Sequence, residues 1–139
     1  MLAPMVCVPP SLQMVLDQLP TSSQFFLVGG CVRDALLGLP QKDFDIEVFG
    51  IDYPRLTTEL SRFGRIDLVG RSFGVVKLTL AGGETFDFSL PRRDSKIGPG
   101  HKGFSIQFDP TITPCEAASR RDFTINSLMF NPRLSLIHI

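Results

Sequence analysis

FLVGGCVRDALLGLPQKDFDIEVFG, running from Phe26 to Gly50, joins an apolar run to two adjacent glycines, an arginine and a DxD pair. The apolar stretch Gln24 to Val28 reads as a short buried strand, closed by Gly29 and Gly30. CVRDALLG reads as a helix ending at Gly38, where glycine readily takes the left-handed conformation that stops helices. From Asp43 to Phe49 acidic and apolar residues alternate, the period of a strand with one face buried. Side chains two apart on a strand share a face, so Asp43 and Asp45 point one way while Phe44 and Ile46 point into the core. Two like charges held so close call for a counter-ion, and a hard divalent cation such as Mg²⁺ takes oxygen ligands and leaves positions for water or phosphate. Taken alone, DxD reads as the solvated acidic face of a half-exposed strand.

Around this stretch the chain has the size of one domain: 139 residues, 43% hydrophobic and 20% charged, without low-complexity runs. Lys and Arg total 14 against 14 Asp and Glu, which excludes a global basic field drawing the protein to nucleic acid or anionic lipid. The charge is unevenly placed. Asp34, Asp43, Asp45, Glu47 and Asp52 outnumber Arg33 and Lys42, whereas Arg92, Arg93, Lys96 and Lys102 outnumber Asp94. An acidic site beside a basic segment is the expectation. Cys7, Cys31 and Cys115 form an odd, widely spaced set without CxxC, which suits a reducing compartment and gives no zinc site. The first residues carry no secretory or transit signal, and no apolar run approaches the roughly 20 residues that span a bilayer. A cytoplasmic location is the expectation.

The remaining chain predicts a small mixed sheet flanked by helices, an α/β (α+β) fold. SLQMVLDQL predicts a helix with Ser11 as N-cap and Pro20 as its stop. A second helix is predicted from about Asp52 to Phe63, with Pro54 in its first turn. IDLVG, VVKLTL and ETFDFSL are strand candidates, the last two joined by the turn Ala81-Gly82-Gly83. Residues 91–103 are polar, basic and rich in Gly and Pro, and predict a mobile surface loop. TPCEAASRRDFTINSL predicts a helix in its first half.

Gly29 and Gly30 lie between strand and helix, where missing side chains let a phosphate approach backbone N–H groups, and Arg33 adds a fork of donors. The same pair also reads as a plain tight turn, with Asp34 stabilising the first turn of the helix. Neither a Walker A loop nor GxGxxG is present. Asp87, between Phe86 and Phe88, faces away from them if they are buried, and an adjacent strand would bring it beside Asp43 and Asp45. Three acids around metal ions is an arrangement for phosphoryl or nucleotidyl transfer; an exposed strand position is the other reading.

LVGGCVRDALLG with DFDIEVFG, followed by FDF and RRDFTINSLMFNP, resembles the N-terminal catalytic head of the tRNA nucleotidyltransferase and poly(A) polymerase family, from about Phe26 to Pro132. The resemblance implies a polymerase-β-like nucleotidyltransferase fold. It implies metal-dependent transfer of CMP or AMP from CTP or ATP to a tRNA or other RNA 3′ end, with pyrophosphate released. Asp43 and Asp45 would hold Mg²⁺, with Asp87 as third acid, and Gly29, Gly30 and Arg33 would take the phosphates. Arg120, Arg121, Asp122 and Asn126 of RRDFTIN would serve the incoming ribonucleotide. Arg92, Arg93, Lys96 and Lys102, with His101, would contact RNA or substrate phosphates, though a solvated loop without that role reads equally well. The whole chain, 1–139, is expected to be a single head domain cut before helical neck, body and tail regions, and RLSLIHI does not resemble the family's continuation. The alternatives are a poly(A) polymerase head, or a truncated non-catalytic fragment that binds nucleotide or RNA.

Overall fold

The computed structural model describes residues 8–38, 44–68, 72, 74–96, 104–108, 113–114, 129–133 and 136–138. Three helices and nine strands follow one another as α1 (Pro10–Gln18), β1 (Gln24–Val28), α2 (Gly30–Leu36), β2 (Asp45–Phe49), α3 (Tyr53–Ser61), β3 (Arg65–Asp67), β4 (Val75–Thr79), β5 (Thr85–Ser89), β6 (Arg92–Lys96), β7 (Phe104–Phe108), β8 (Met129–Asn131) and β9 (Leu136–His138). Seven of the strands form one sheet in the order β3-β4-β5-β2-β1-β8-β9, and β6 pairs with β7 separately. Within the large sheet β2 and β5 run parallel and the other pairs antiparallel. The expected mixed α/β architecture is present.

One face of the sheet carries the main core. Phe25, Leu27, Ile46, Val48, Val76, Leu78, Phe86 and Phe88 alternate inward along four strands and meet Leu12, Val15 and Leu16 of α1 and Leu56 and Leu60 of α3. Each such side chain contributes about 1.5–3 kcal/mol on burial. The N-cap of α1 lies two residues before the expected one. Pro9 is its N-cap and Pro10 occupies the first turn, where no N–H is needed. Ser11 is therefore not a cap; its hydroxyl donates to Glu84 Oε2 at 2.9 Å and ties the helix to the β4–β5 connection. α3 is capped by Asp52, whose carboxylate accepts from the Arg55 N–H at 2.8 Å, and it is shorter at both ends than the predicted span.

One predicted segment differs. Part of the 91–103 segment, expected as a loop, is strand: Arg92 to Lys96 pair residue by residue with Phe104 to Phe108. The basic composition concealed a backbone ladder supplied by FSIQF, whose apolar residues recur at every second position. Residues 97–103 lie outside the described residues, as does the predicted helix after Pro114. No element is assigned to the chain's last segment from sequence. RLSLIHI contains β9, which pairs with β8, and Arg133 donates to the Ser23 carbonyl at 3.0 Å while covering the Phe25 ring at 4.3 Å.

Gly64 is fixed by close packing: a Cβ there would fall 2.2 Å from the Thr79 carbonyl oxygen. Gly64→Ala is therefore expected to lower unfolding free energy by roughly 1–3 kcal/mol, as overpacking does. Gly82→Ala, with nothing within 4 Å of the new methyl, is expected to stay within about 0.5 kcal/mol. Urea unfolding of both variants checks this, and equal midpoints would contradict the packing argument.

Candidate active site

The pairing of β1, β2 and β5 brings distant sequence motifs to one place. Val28, the last residue of β1, stands opposite Asp45, and Asp45 stands opposite Asp87 on the parallel strand β5. Ile46 and Val48 turn into the main core, so Asp45 and Glu47 lie on the opposite face. Phe86 and Phe88 are buried at 3% and 0%, which puts Asp87 on that same face. Asp87 therefore faces away from Phe86 and Phe88 and stands beside Asp45. Asp43, Arg120, Arg121, Asp122, Asn126 and Lys102 lie outside the described residues, as does His101. The backbones of Arg92, Arg93 and Lys96 belong to β6, in the separate two-stranded sheet.

The turn after β1 closes over Asp45. Gly29 has φ 74°, a region that disfavours any side chain, and a Cβ built there would lie 3.5 Å from Asp45 Oδ2. A Cβ on Gly30 would lie 3.3 Å from Arg33 Nη2, so the guanidinium folds back onto the turn. Gly29 is the N-cap of α2 with no side-chain cap. Asp34 lies beyond the first turn of α2, so it does not stabilise that turn; its Oδ1 accepts from Arg33 Nε and Nη2, each at 3.3 Å. Both partners are partly exposed, and such pairs are weak enough to exchange for another anion.

These groups border a cleft of about 290 Å³, lined by Val28 and Gly29 from the turn, Asp45 and Glu47 from β2, and Val75, Asp87 and Ser89 from the strands beyond. Asp87 Oδ1 is buried and has no hydrogen-bond partner. A buried polar atom so placed costs about 1–3 kcal/mol, more when charged. A cation would satisfy it. Asp45 and Asp87 on neighbouring strands supply hard oxygen donors that suit Mg²⁺, although among the described residues no three His, Cys, Asp or Glu converge to hold a metal by themselves. Glu47 was not among the expected site residues. It is 6% exposed and lines the cleft; the alternation that places Asp45 on this face places Glu47 there too.

Comparison with known proteins agrees with this geometry. The chain is 43% identical over 103 residues to the multifunctional CCA protein of Xylella fastidiosa strain 9a5c, covering 74% of this chain and 23% of that protein. It thus spans about a quarter of that relative's length. Among solved structures, the CCA-adding enzyme of Bacillus stearothermophilus in complex with CTP superposes with a TM-score of 0.68 at 26% identity, over 94% of this chain and 30% of that one. The CCA-adding enzyme of Thermotoga maritima complexed with tRNA gives 0.61 at 26% identity, over 92% and 28%. The sheet with its flanking helices is thus the polymerase-β-like head that the resemblance implied. The poly A polymerase head domain family matches residues 25–137, which include the glycine turn, both described acids and the strands that align them, and the chain belongs to that family.

Proposed function

We propose that this chain is the catalytic head of a template-independent RNA nucleotidyltransferase, transferring CMP or AMP from CTP or ATP to a tRNA 3′ hydroxyl with release of pyrophosphate. The observation that carries this reading is the register that sets the Gly29-Gly30 turn, Asp45 and Asp87 side by side around a buried, unpartnered carboxylate oxygen. The similarity to CCA proteins and to a CCA-adding enzyme holding CTP supports the same substrates.

In this reading residues 1–139 are one head domain of a longer enzyme. Gly29 and Gly30 admit the triphosphate to backbone N–H groups, and Arg33 exchanges Asp34 for a phosphate oxygen. Asp45 and Asp87, with Asp43, hold Mg²⁺. The bound ion supplies Lewis-acid activation of the attacking hydroxyl and neutralises charge on the triphosphate. Arg120, Arg121, Asp122 and Asn126 receive the ribonucleotide, where a carboxylate accepting from a ribose hydroxyl favours ribose over deoxyribose because that bond is lost with the hydroxyl. Arg92, Arg93, Lys96 and Lys102 steady phosphates without reading sequence. A cytoplasmic location belongs to this reading, where Cys7, Cys31 and Cys115 stay reduced.

Titration calorimetry of CTP and of ATP into the chain with Mg²⁺ is expected to show binding that Asp45→Ala abolishes. Undiminished binding by that variant would remove Asp45 from the site. A second test uses stability. Without divalent ions Asp87→Asn is expected to raise unfolding free energy by about 1 kcal/mol, because it removes the charge from a carboxylate whose Oδ1 is buried without a hydrogen-bond partner. Added Mg²⁺ should then raise the melting temperature of the variant less than that of the parent. A destabilised Asp87→Asn with an undiminished Mg²⁺ response would show that the oxygen is not waiting for a cation.

A further inference from the structure

The row of side chains that holds the acids continues past Asp87. Asp87 stands opposite Lys77 on β4, and Lys77 stands opposite Asp67 on β3. Residues directly opposed in an antiparallel pair have Cα atoms about 4.5–5.5 Å apart, and opposite charges so placed ordinarily attract. Lys77 is exposed, yet among the described residues the ion pairs are Arg33 with Asp34 and Arg62 with Glu59, and Lys77 joins neither. Asp87 Oδ1 beside it is buried without a partner. The two groups are complementary: Asp87 can take a cation and the exposed Lys77 an anion. A phosphate with its metal counter-ion has that composition.

Position decides which phosphate. The Gly29-Gly30 turn and Arg33 lie on the β1 side of Asp45, whereas Lys77 lies on the far side of Asp87, three strand spacings from Val28. That is about 14 Å between backbones, so the turn and the lysine flank the acids from opposite sides. We infer that Lys77 binds a backbone phosphate at the 3′ end of the acceptor RNA, on the opposite side of the acids from the nucleotide. This inference rests on the proposed function, because it takes the glycine turn as the triphosphate site.

The test is NMR titration of the ¹⁵N-labelled chain, with Mg²⁺, by CTP and separately by a single-stranded RNA tetranucleotide ending in CC. The RNA is expected to shift the amides of Lys77 and its neighbours on β3 and β4, and CTP those of Gly29 and Gly30. K77Q is expected to weaken RNA binding about fivefold, the scale of one exposed charge contact, and to reduce the salt dependence of log K by about 0.7. K77R should retain binding, and unchanged CTP affinity in K77Q doubles as the control for folding. RNA that leaves Lys77 unshifted, or K77Q that binds it as the parent does, overturns the inference while leaving the proposed function standing. Loss of CTP affinity in K77Q overturns it too, by assigning the lysine to the triphosphate. Failure of the parent to bind CTP removes the proposed function and the inference with it.

Discussion

The parallel pairing of β2 with β5 holds two carboxylates against each other, and the rest of the site depends on it. Asp45 and Asp87 are directly opposed, and on the reverse face of the same two strands Ile46 and Phe88 are directly opposed and fully buried. A slip of one residue would turn every side chain of the strand to the other face. It would put the carboxylates in the core and the apolar groups in water. Two like charges one strand spacing apart repel. Burial of Ile46 and Phe88 contributes about 1.5–3 kcal/mol each in the opposite direction. The hydrophobic core therefore imposes an arrangement that electrostatics opposes.

A parallel pair needs a long connection, and this one runs through α3, β3 and β4. Leu56 and Leu60 press α3 onto the core face, and Asp52 caps its start. The helix therefore lies behind the sheet and leaves the acidic face clear. β1 adds the glycine turn by antiparallel pairing with β2, from Gln24 opposite Phe49 to Val28 opposite Asp45. The left-handed φ of Gly29 disfavours any side chain there, and the turn lies in van der Waals reach of the Asp45 carboxylate.

Much of this was legible because it follows from alternation and glycine placement. The strand ending at Phe49 and the outward side of Asp87 follow from apolar residues at every second position, and the turn follows from the adjacent Gly29 and Gly30. Less visible were features that depend on partners far along the chain. Ser11 looks like a cap until Pro9 and Pro10 set the helix start and Glu84 takes its hydroxyl. The basic composition of Arg92 to Lys96 says loop, but backbone pairing with Phe104 to Phe108 is independent of side-chain polarity. Glu47 has the same alternation signal as Asp45. Its burial depends on Phe26 and Ser89, which stand opposite it on either side, and no local pattern reveals those neighbours.

The site face is asymmetric across the acids. On the β1 and β8 side Phe26, Val28, Phe49 and Met129 form a second apolar cluster, with the Phe26 and Phe49 rings edge to face at 5.7 Å. On the β4 side the face turns polar, with Lys77 exposed and Ser89 half-buried. Asp45 and Asp87 stand at the boundary. Apolar walls on one side lower the local dielectric, which strengthens the pull of the carboxylates on a cation. Water on the other side keeps an open approach for a charged, hydrated substrate. A site enclosed by apolar groups all round would make two carboxylates costly to desolvate, and one open all round would screen their attraction for a cation. The sheet meets both demands by placing the acids on its two central strands, between an apolar flank and a polar one.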